Sequence, residues 1–316
     1  PAAKEAVDKE FKKLDELPWP GNAGVGTWDW NSVREKWDVI EEARKAGVKA
    51  HFGQVVELCF EKGSELAPGD PERKFKGRLV YLGDQHTDEN GDAAQCAELS
   101  SSPPTMEASH ALDCLSRSVG YIQKQSDATS AYTQTFLAGT PTWVELPKHR
   151  IPDRLKHMRR PVLRLMLALY GHPDSGGYWE AHCEEHVLKC GFTRLGEGWR
   201  SCFIHKEKKA LLVIYVDDFK MAAKVEDSDE LWALREGIVM ASLTLLTVSW
   251  VATCTSFSAG QKMFRQSCKT ARSCTRGGRL LSHGCRQTRS EKYEGLSTTW
   301  RSSSVRVSWT TALWLV

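Results

Sequence analysis

Apolar residues recur at helical spacing from the first turn of the chain. Ala3, Val7, Phe11 and Leu14 fall on one face, which predicts an amphipathic helix over residues 2–17, ended by Pro18 and Pro20. A second helix is predicted from Ser32. Glu35 stands three residues on as a capping box, Val33, Trp37 and Ile40 form the apolar stripe, and Gly47 closes it. Residues 48–60 carry the short apolar clusters of strands, and residues 74–82 read as a basic, then apolar, strand. The polar run 84–104 reads as a loop. Helical spacing returns over residues 105–119, 163–170 and 178–189, the last two separated by the breaker run 171–177. Strands are predicted at 121–126, 200–205 and 209–216, with 219–224 returning as a hairpin partner. This mixed order predicts an α+β fold rather than a regular β-α-β repeat.

The length of 316 residues admits one large domain or two ordinary ones. At 41% apolar and 26% charged residues, the chain has material for a buried core and is not disordered throughout. No apolar run approaches bilayer length, so no membrane is expected as a partner. No secretory signal opens the chain, and Pro1 in place of Met suggests a piece of a longer protein. Ten cysteines lie scattered without a C-x-x-C pair, which favours free thiols in a reducing compartment.

Charge divides the chain. From Ala241 onward, eight Arg and three Lys face only Glu291 and Glu294, a net +9, which leaves −6 for the first 240 residues. All 12 prolines lie at or before Pro173, and no Asp occurs after residue 240. Hydrophobic periodicity fades there too. Two readings stand for 241–316: a basic arm for nucleic acid, or an out-of-frame stretch with no evolved fold. Either way, a body over 1–240 and an unstructured tail are expected.

The sharpest local feature is Tyr215-Val216-Asp217-Asp218, where an apolar run delivers two adjacent carboxylates to a tight turn. Hard oxygen ligands of this kind hold divalent cations. Asp is also favoured in turns for backbone reasons alone. A third acid, Asp127, follows another short strand. Carboxylates converging from separate strands are what two-metal phosphoryl transfer needs.

Four blocks in order then resemble the reverse transcriptase domain of copia-type retrotransposons. Lys76-Gly77-Arg78-Leu79-Val80 resembles the fingers strand K-x-R-L-V. Asp127 to Tyr132 resembles the first palm motif, D-x-x-x-A-[FY]. Leu169-Tyr170-Gly171 with Trp179 resembles the block L-Y-G-L-K-Q-x-x-x-x-W, and Tyr215 to Asp218 is similar to the Y-V-D-D hairpin. The resemblance spans residues 2–240. It implies right-hand polymerase fingers and palm, the palm an antiparallel sheet packed on helices.

It also implies roles. Asp127, Asp217 and Asp218 would be catalytic and hold two Mg2+ ions, with Mn2+ as a substitute. Tyr132 would lie under the incoming sugar, and Lys76 and Arg78 would face the triphosphate. Implied partners are an RNA or DNA template with its primer, deoxynucleoside triphosphates, and the integrase and RNase H parts of a Pol polyprotein. The implied setting is intracellular, in a cytoplasmic particle or the nucleus. Asp174 falls where the family carries a nucleotide-positioning Gln, and an acid there repels phosphate unless the loop around Gly176 and Gly177 has been rebuilt. That departure supports the alternative of a catalytically inactive retrotransposon remnant. His182, Cys183, His186 and Cys190 share a helical segment, but their spacing matches no standard structural zinc site, so no zinc is expected.

Overall fold

The computed structural model describes residues 2–20, 24–96 and 103–246. The tail expected after residue 240 lies outside the described residues from 247 on. In chain order the elements are α1 (Ala2–Asp15), β1 (Trp28–Glu35), α2 (Lys36–Ala46), β2 (His51–Lys62), β3 (Lys74–Tyr81) and α3 (Met106–Leu115). There follow β4 (Tyr121–Asp127), β5 (Thr142–Glu145), β6 (Pro161–Leu165), α4 (Ser175–Lys189), β7 (Thr193–Arg194) and β8 (Cys202–His205). The series ends with β9 (Ala210–Tyr215), β10 (Asp218–Lys224), α5 (Ser228–Leu231) and β11 (Thr244–Leu245). The fold is mixed α+β, with two sheets and five α-helices among the described residues.

The first sheet runs β1-β6-β5-β2-β3, antiparallel except for the parallel pair β2–β5. Helix α1 lies on β3, burying Val7 and Leu14, with Phe11 5.4 Å from the Trp28 ring. Gly77 permits that approach, since a Cβ there would collide with the Ala6 carbonyl oxygen.

The second sheet runs β11-β4-β10-β9-β8-β7, with every adjacent pair antiparallel. Both of its faces are covered. Leu212, Ile214, Phe219 and Met221 face Trp179, Cys183 and Val187 of α4 in one core cluster. Leu211, Val213 and Ala222 face Ala108 and Leu112 of α3 in another. Two covered faces explain why residues 211–214 form a continuous apolar run instead of alternating. Thr105 caps α3 by accepting from the Ala108 N–H.

Two expected helices are corrected. The segment from Ser32 is strand, and α2 starts only at Lys36. Ser32 does not cap a helix. Its hydroxyl donates to the Asp29 carbonyl and accepts from the Arg164 N–H, while Glu35 accepts from the N–H groups of Arg159 and Arg160. The helix expected over residues 163–170 is likewise not formed: its first three residues end β6, where pairing to β1 and β5 outweighs the 3.6-residue spacing, and 166–170 are not helical. The compact unit extends to Leu246. Within it, Ser126 Oγ donates to the Ala241 carbonyl and β11 pairs with β4.

Candidate active site

Strands β9 and β10 pair Tyr215 with Asp218, which leaves Val216 and Asp217 as a two-residue hairpin turn. Val216 has φ +57°, a conformation normally given to glycine at this turn position and unfavourable for a β-branched residue. Two hydrogen bonds hold the turn. The Trp179 indole N–H donates to the Val216 carbonyl at 2.7 Å. The Ala128 N–H donates to the Asp217 carbonyl at 2.7 Å. On the other side of β10, Asp218 is the register partner of Asp127 at the end of β4. The Ala241 N–H donates to the Asp127 carbonyl at 2.8 Å. Sheet register thus brings Asp127 beside Asp217 and Asp218 from 90 positions away in the chain.

The electrostatics mark a crowded pair. Asp218 is pushed up to about 6 by burial first, then by its hydrogen bond to Asp127 and by the charges of Asp127 and Asp217. Like charges in register destabilise a strand pair, so packing alone does not favour this arrangement. Hard, anionic oxygens suit Mg2+ or Mn2+, and a cation would relieve the repulsion. In chemical type the carboxylates suit such an ion, while among the described residues no three His, Cys, Asp or Glu side chains form a group that could hold one.

A series of contacts runs from the first sheet to Tyr132, which feels the charge of Asp217. The Arg78 guanidinium lies 5.5 Å from the Tyr170 ring centre, and Tyr170 meets Tyr132 edge-on at 4.7 Å. Burial, and then the Asp217 charge, raise both tyrosines above their ordinary range. Arg78 also pairs with Glu10 at 3.5 Å. Lys76 is exposed. Burial of its ammonium and the cations Arg78, Lys62 and Lys13 lower its pKa, while Glu10 opposes them. Lys13 hydrogen-bonds Ser130, three residues beyond Asp127. Beside the turn, Tyr132, Trp179, Ile214 and Val216 line a small open depression.

Asp174 is placed elsewhere. It is 7% exposed, and its charge acts on His51, Cys96 and Tyr178. Its backbone N–H donates to His172 Nδ1 at 3.2 Å. The loop packs on a buried histidine cluster, in which His86 Nε2 lies 3.1 Å from His51 Nδ1 and the His86 and His172 rings are 5.1 Å apart. On α4, Cys183 is buried in the core and its thiol is pushed up by burial, while the rings of His182 and His186 lie 4.4 Å apart in a tilted arrangement. The bond of Trp179 to the turn and the contacts of Tyr170 with Arg78 and Tyr132 are not assigned from sequence. The only signal was their place in the block around Gly171.

No family model matches the chain, and no curated protein does. Among solved structures, apo telomerase from Candida tropicalis, truncated from its C-terminal domain, is similar over 69% of this chain at 10% identity and a TM-score of 0.33. The chain spans 56% of that structure's length. This is a weak likeness to a polymerase-type protein and fixes neither family nor activity.

Proposed function

We propose that the body of this chain is the reverse transcriptase domain of a copia-type retrotransposon, an RNA-directed DNA polymerase. The observation that carries the reading is the register of β4 against β10, which sets Asp127 opposite Asp218 and bonds Ala128 to the Asp217 carbonyl. In this reading the first sheet with α1 is the fingers, and the second sheet with α3 and α4 is the palm.

Asp127, Asp217 and Asp218 would hold Mg2+, or Mn2+ in its place. Bound there, the ions would supply charge neutralisation for the phosphoryl group and a lower pKa for the primer 3′-hydroxyl. The protein's own part is orientation. Asp127 and Asp218 stand at the ends of paired strands, so their spacing is set by the sheet ladder, while Asp217 sits in the turn that joins β9 to β10. Lys76 and Arg78 would receive the triphosphate. Burial first, and then the neighbouring cations Arg78, Lys62 and Lys13, lower the Lys76 pKa, and an anion would relieve the repulsion among them. Tyr132, propped by Tyr170, would close the space under the sugar and exclude a 2′-hydroxyl. Asp174 would not touch the nucleotide, since it is buried beside the histidine cluster. A primed template would be gripped by its backbone and read by base pairing.

Primer extension by the full chain on an RNA template with Mg2+ tests this. Wild type should extend the primer. Asp127→Asn should lose at least about 100-fold in rate, the scale of removing one electrostatic stabiliser of a transition state. A cooperatively folded wild-type protein without extension would favour the second reading, an inactive remnant, which the Asp at the Gln position supports.

A further inference from the structure

Val216 is the weak point of the aspartate turn. Left-handed φ crowds its branched Cβ against the backbone, so the residue stays there only if its surroundings hold it. Its peptide with Asp217 can relax by rotating, and that rotation would redirect the Asp217 side chain. Each of the two turn carbonyls has a partner. Asp217 O is held by Ala128, a bond that belongs to the neighbouring strand. Val216 O is held by the Trp179 indole at 2.7 Å. Trp179 is itself fixed. It is 2% exposed, packs in the core under β9 and β10, and stacks on His182 at 5.8 Å.

We infer that Trp179 is a positioning residue. Its indole N–H holds Val216 in the left-handed conformation and so aims Asp217 at the Asp127–Asp218 pair. The inference rests on the polymerase reading for what the aspartates do, while the strained turn and its indole bond stand without it. It also accounts for a buried Trp where Phe or Leu would fill the core as well. A buried indole N–H needs an acceptor, and here the acceptor is the strained peptide.

The test uses the full chain and reads Mn2+ affinity by paramagnetic resonance, thermal midpoint, and the separate kcat and KM of primer extension. Trp179→Phe keeps an aromatic ring and removes the donor. Mn2+ affinity should weaken about tenfold, at the low end of what losing a partner that orients a metal ligand does. The value of kcat should fall by a similar factor, and the KM for nucleotide should stay within about twofold, because the triphosphate contacts are untouched. Val187→Ala is the control. It opens a cavity in the same core but leaves the indole bond, so it should lower the midpoint without moving Mn2+ affinity. Val216→Gly makes left-handed φ easy. In that background Trp179→Phe should therefore weaken Mn2+ binding by less than about threefold, a non-additive cycle.

Three results would overturn the inference: Trp179→Phe binding Mn2+ as wild type does, Val187→Ala weakening it equally, or the Val216→Gly background giving no recovery. A wild-type protein that binds no Mn2+ would bring down the polymerase reading itself, and this role with it. A wild type that binds Mn2+ while Trp179→Phe matches it would bring down this role alone.

Discussion

Asp218 shows what the cluster does to stability without a cation. Its folded pKa, about 6, lies above the ordinary carboxylate value. A carboxyl raised in this way contributes stability that is fully present below its unfolded pKa and is lost as pH rises through about 6. At neutral pH the folded chain must ionise Asp218 against Asp127. Asp218→Asn should therefore stabilise the protein at pH 7.5 in chelator, by about 1 kcal/mol after allowance for solvent screening at this partly exposed site. That corresponds to roughly 2–4 °C in midpoint by calorimetry. At pH 4.5 the gain should vanish, and extension should be lost throughout. A midpoint at pH 7.5 no higher than wild type would contradict the crowding. Tyr132 gives a second test at this scale. If it lies under the sugar, Tyr132→Val should admit ribonucleotides while deoxynucleotide incorporation persists. The change in relative discrimination should be about 1–3 kcal/mol, the size of a local steric effect. An unchanged ribo-to-deoxy ratio in an active enzyme would remove Tyr132 from that place.

Among the elements, those with one unambiguous period were legible in the sequence. Helix α1 shows its stripe, and the continuous run of β9 shows a strand covered on both faces. Asp127 and the Asp217–Asp218 turn were legible because short strands lead into acids. Residues 32–35 and 163–165 were not, because their apolar spacing suits a helix and only the pairing of β1 with β6 decides otherwise. The histidine cluster was also illegible. His51, His86 and His172 come from β2, the segment after β3 and the segment after β6, and no local spacing links them.

Their burial yields a pH prediction. His86 is pushed down to about 4, by burial and then by His51. His172 is pushed down to about 3, by burial and then by His86 and His51. His51 is lowered too, by burial, with Asp174, Glu89 and Asp88 opposing and Lys49 assisting. Groups depressed in this way stay neutral in the fold while the unfolded chain takes up protons below its ordinary value of 6.5. Stability is full above 6.5 and falls as pH drops toward 4, by at most about 1.4 kcal/mol per pH unit per histidine. Urea unfolding between pH 7 and 4.5 should show that slope, and His172→Gln should flatten it. Equal slopes in the two proteins would mean the cluster does not couple to folding.

For the whole molecule, the difficulty is a body of net charge −6 that is asked to hold nucleic acid. Net charge sets solubility and long-range repulsion, but phosphate is gripped locally, within a Debye length of about 8–10 Å. The relevant charges are those around Lys76: Arg78, Lys62 and Lys13, with Glu10 as the opposing acid. Many other basic groups on the body are already committed. Lys45 pairs with Glu41, Lys189 with Glu185 and Arg160 with Glu145, so they offer a polyanion little free charge. Binding should then show only a shallow salt dependence, because few contacts carry it. Each phosphate contact contributes about 0.7–0.9 to the slope of log affinity against log salt. Removing the ammonium with Lys76→Ala should reduce the slope for a primed template by about that amount and weaken binding uniformly across sequences. Lys45→Ala should leave the slope unchanged, since its charge is balanced on α2. Fluorescence anisotropy between about 50 and 200 mM salt resolves a difference of this size. If Lys45→Ala shifts the slope as much as Lys76→Ala does, attraction is diffuse over the surface, and the cations around Lys76 have no special claim on the phosphates.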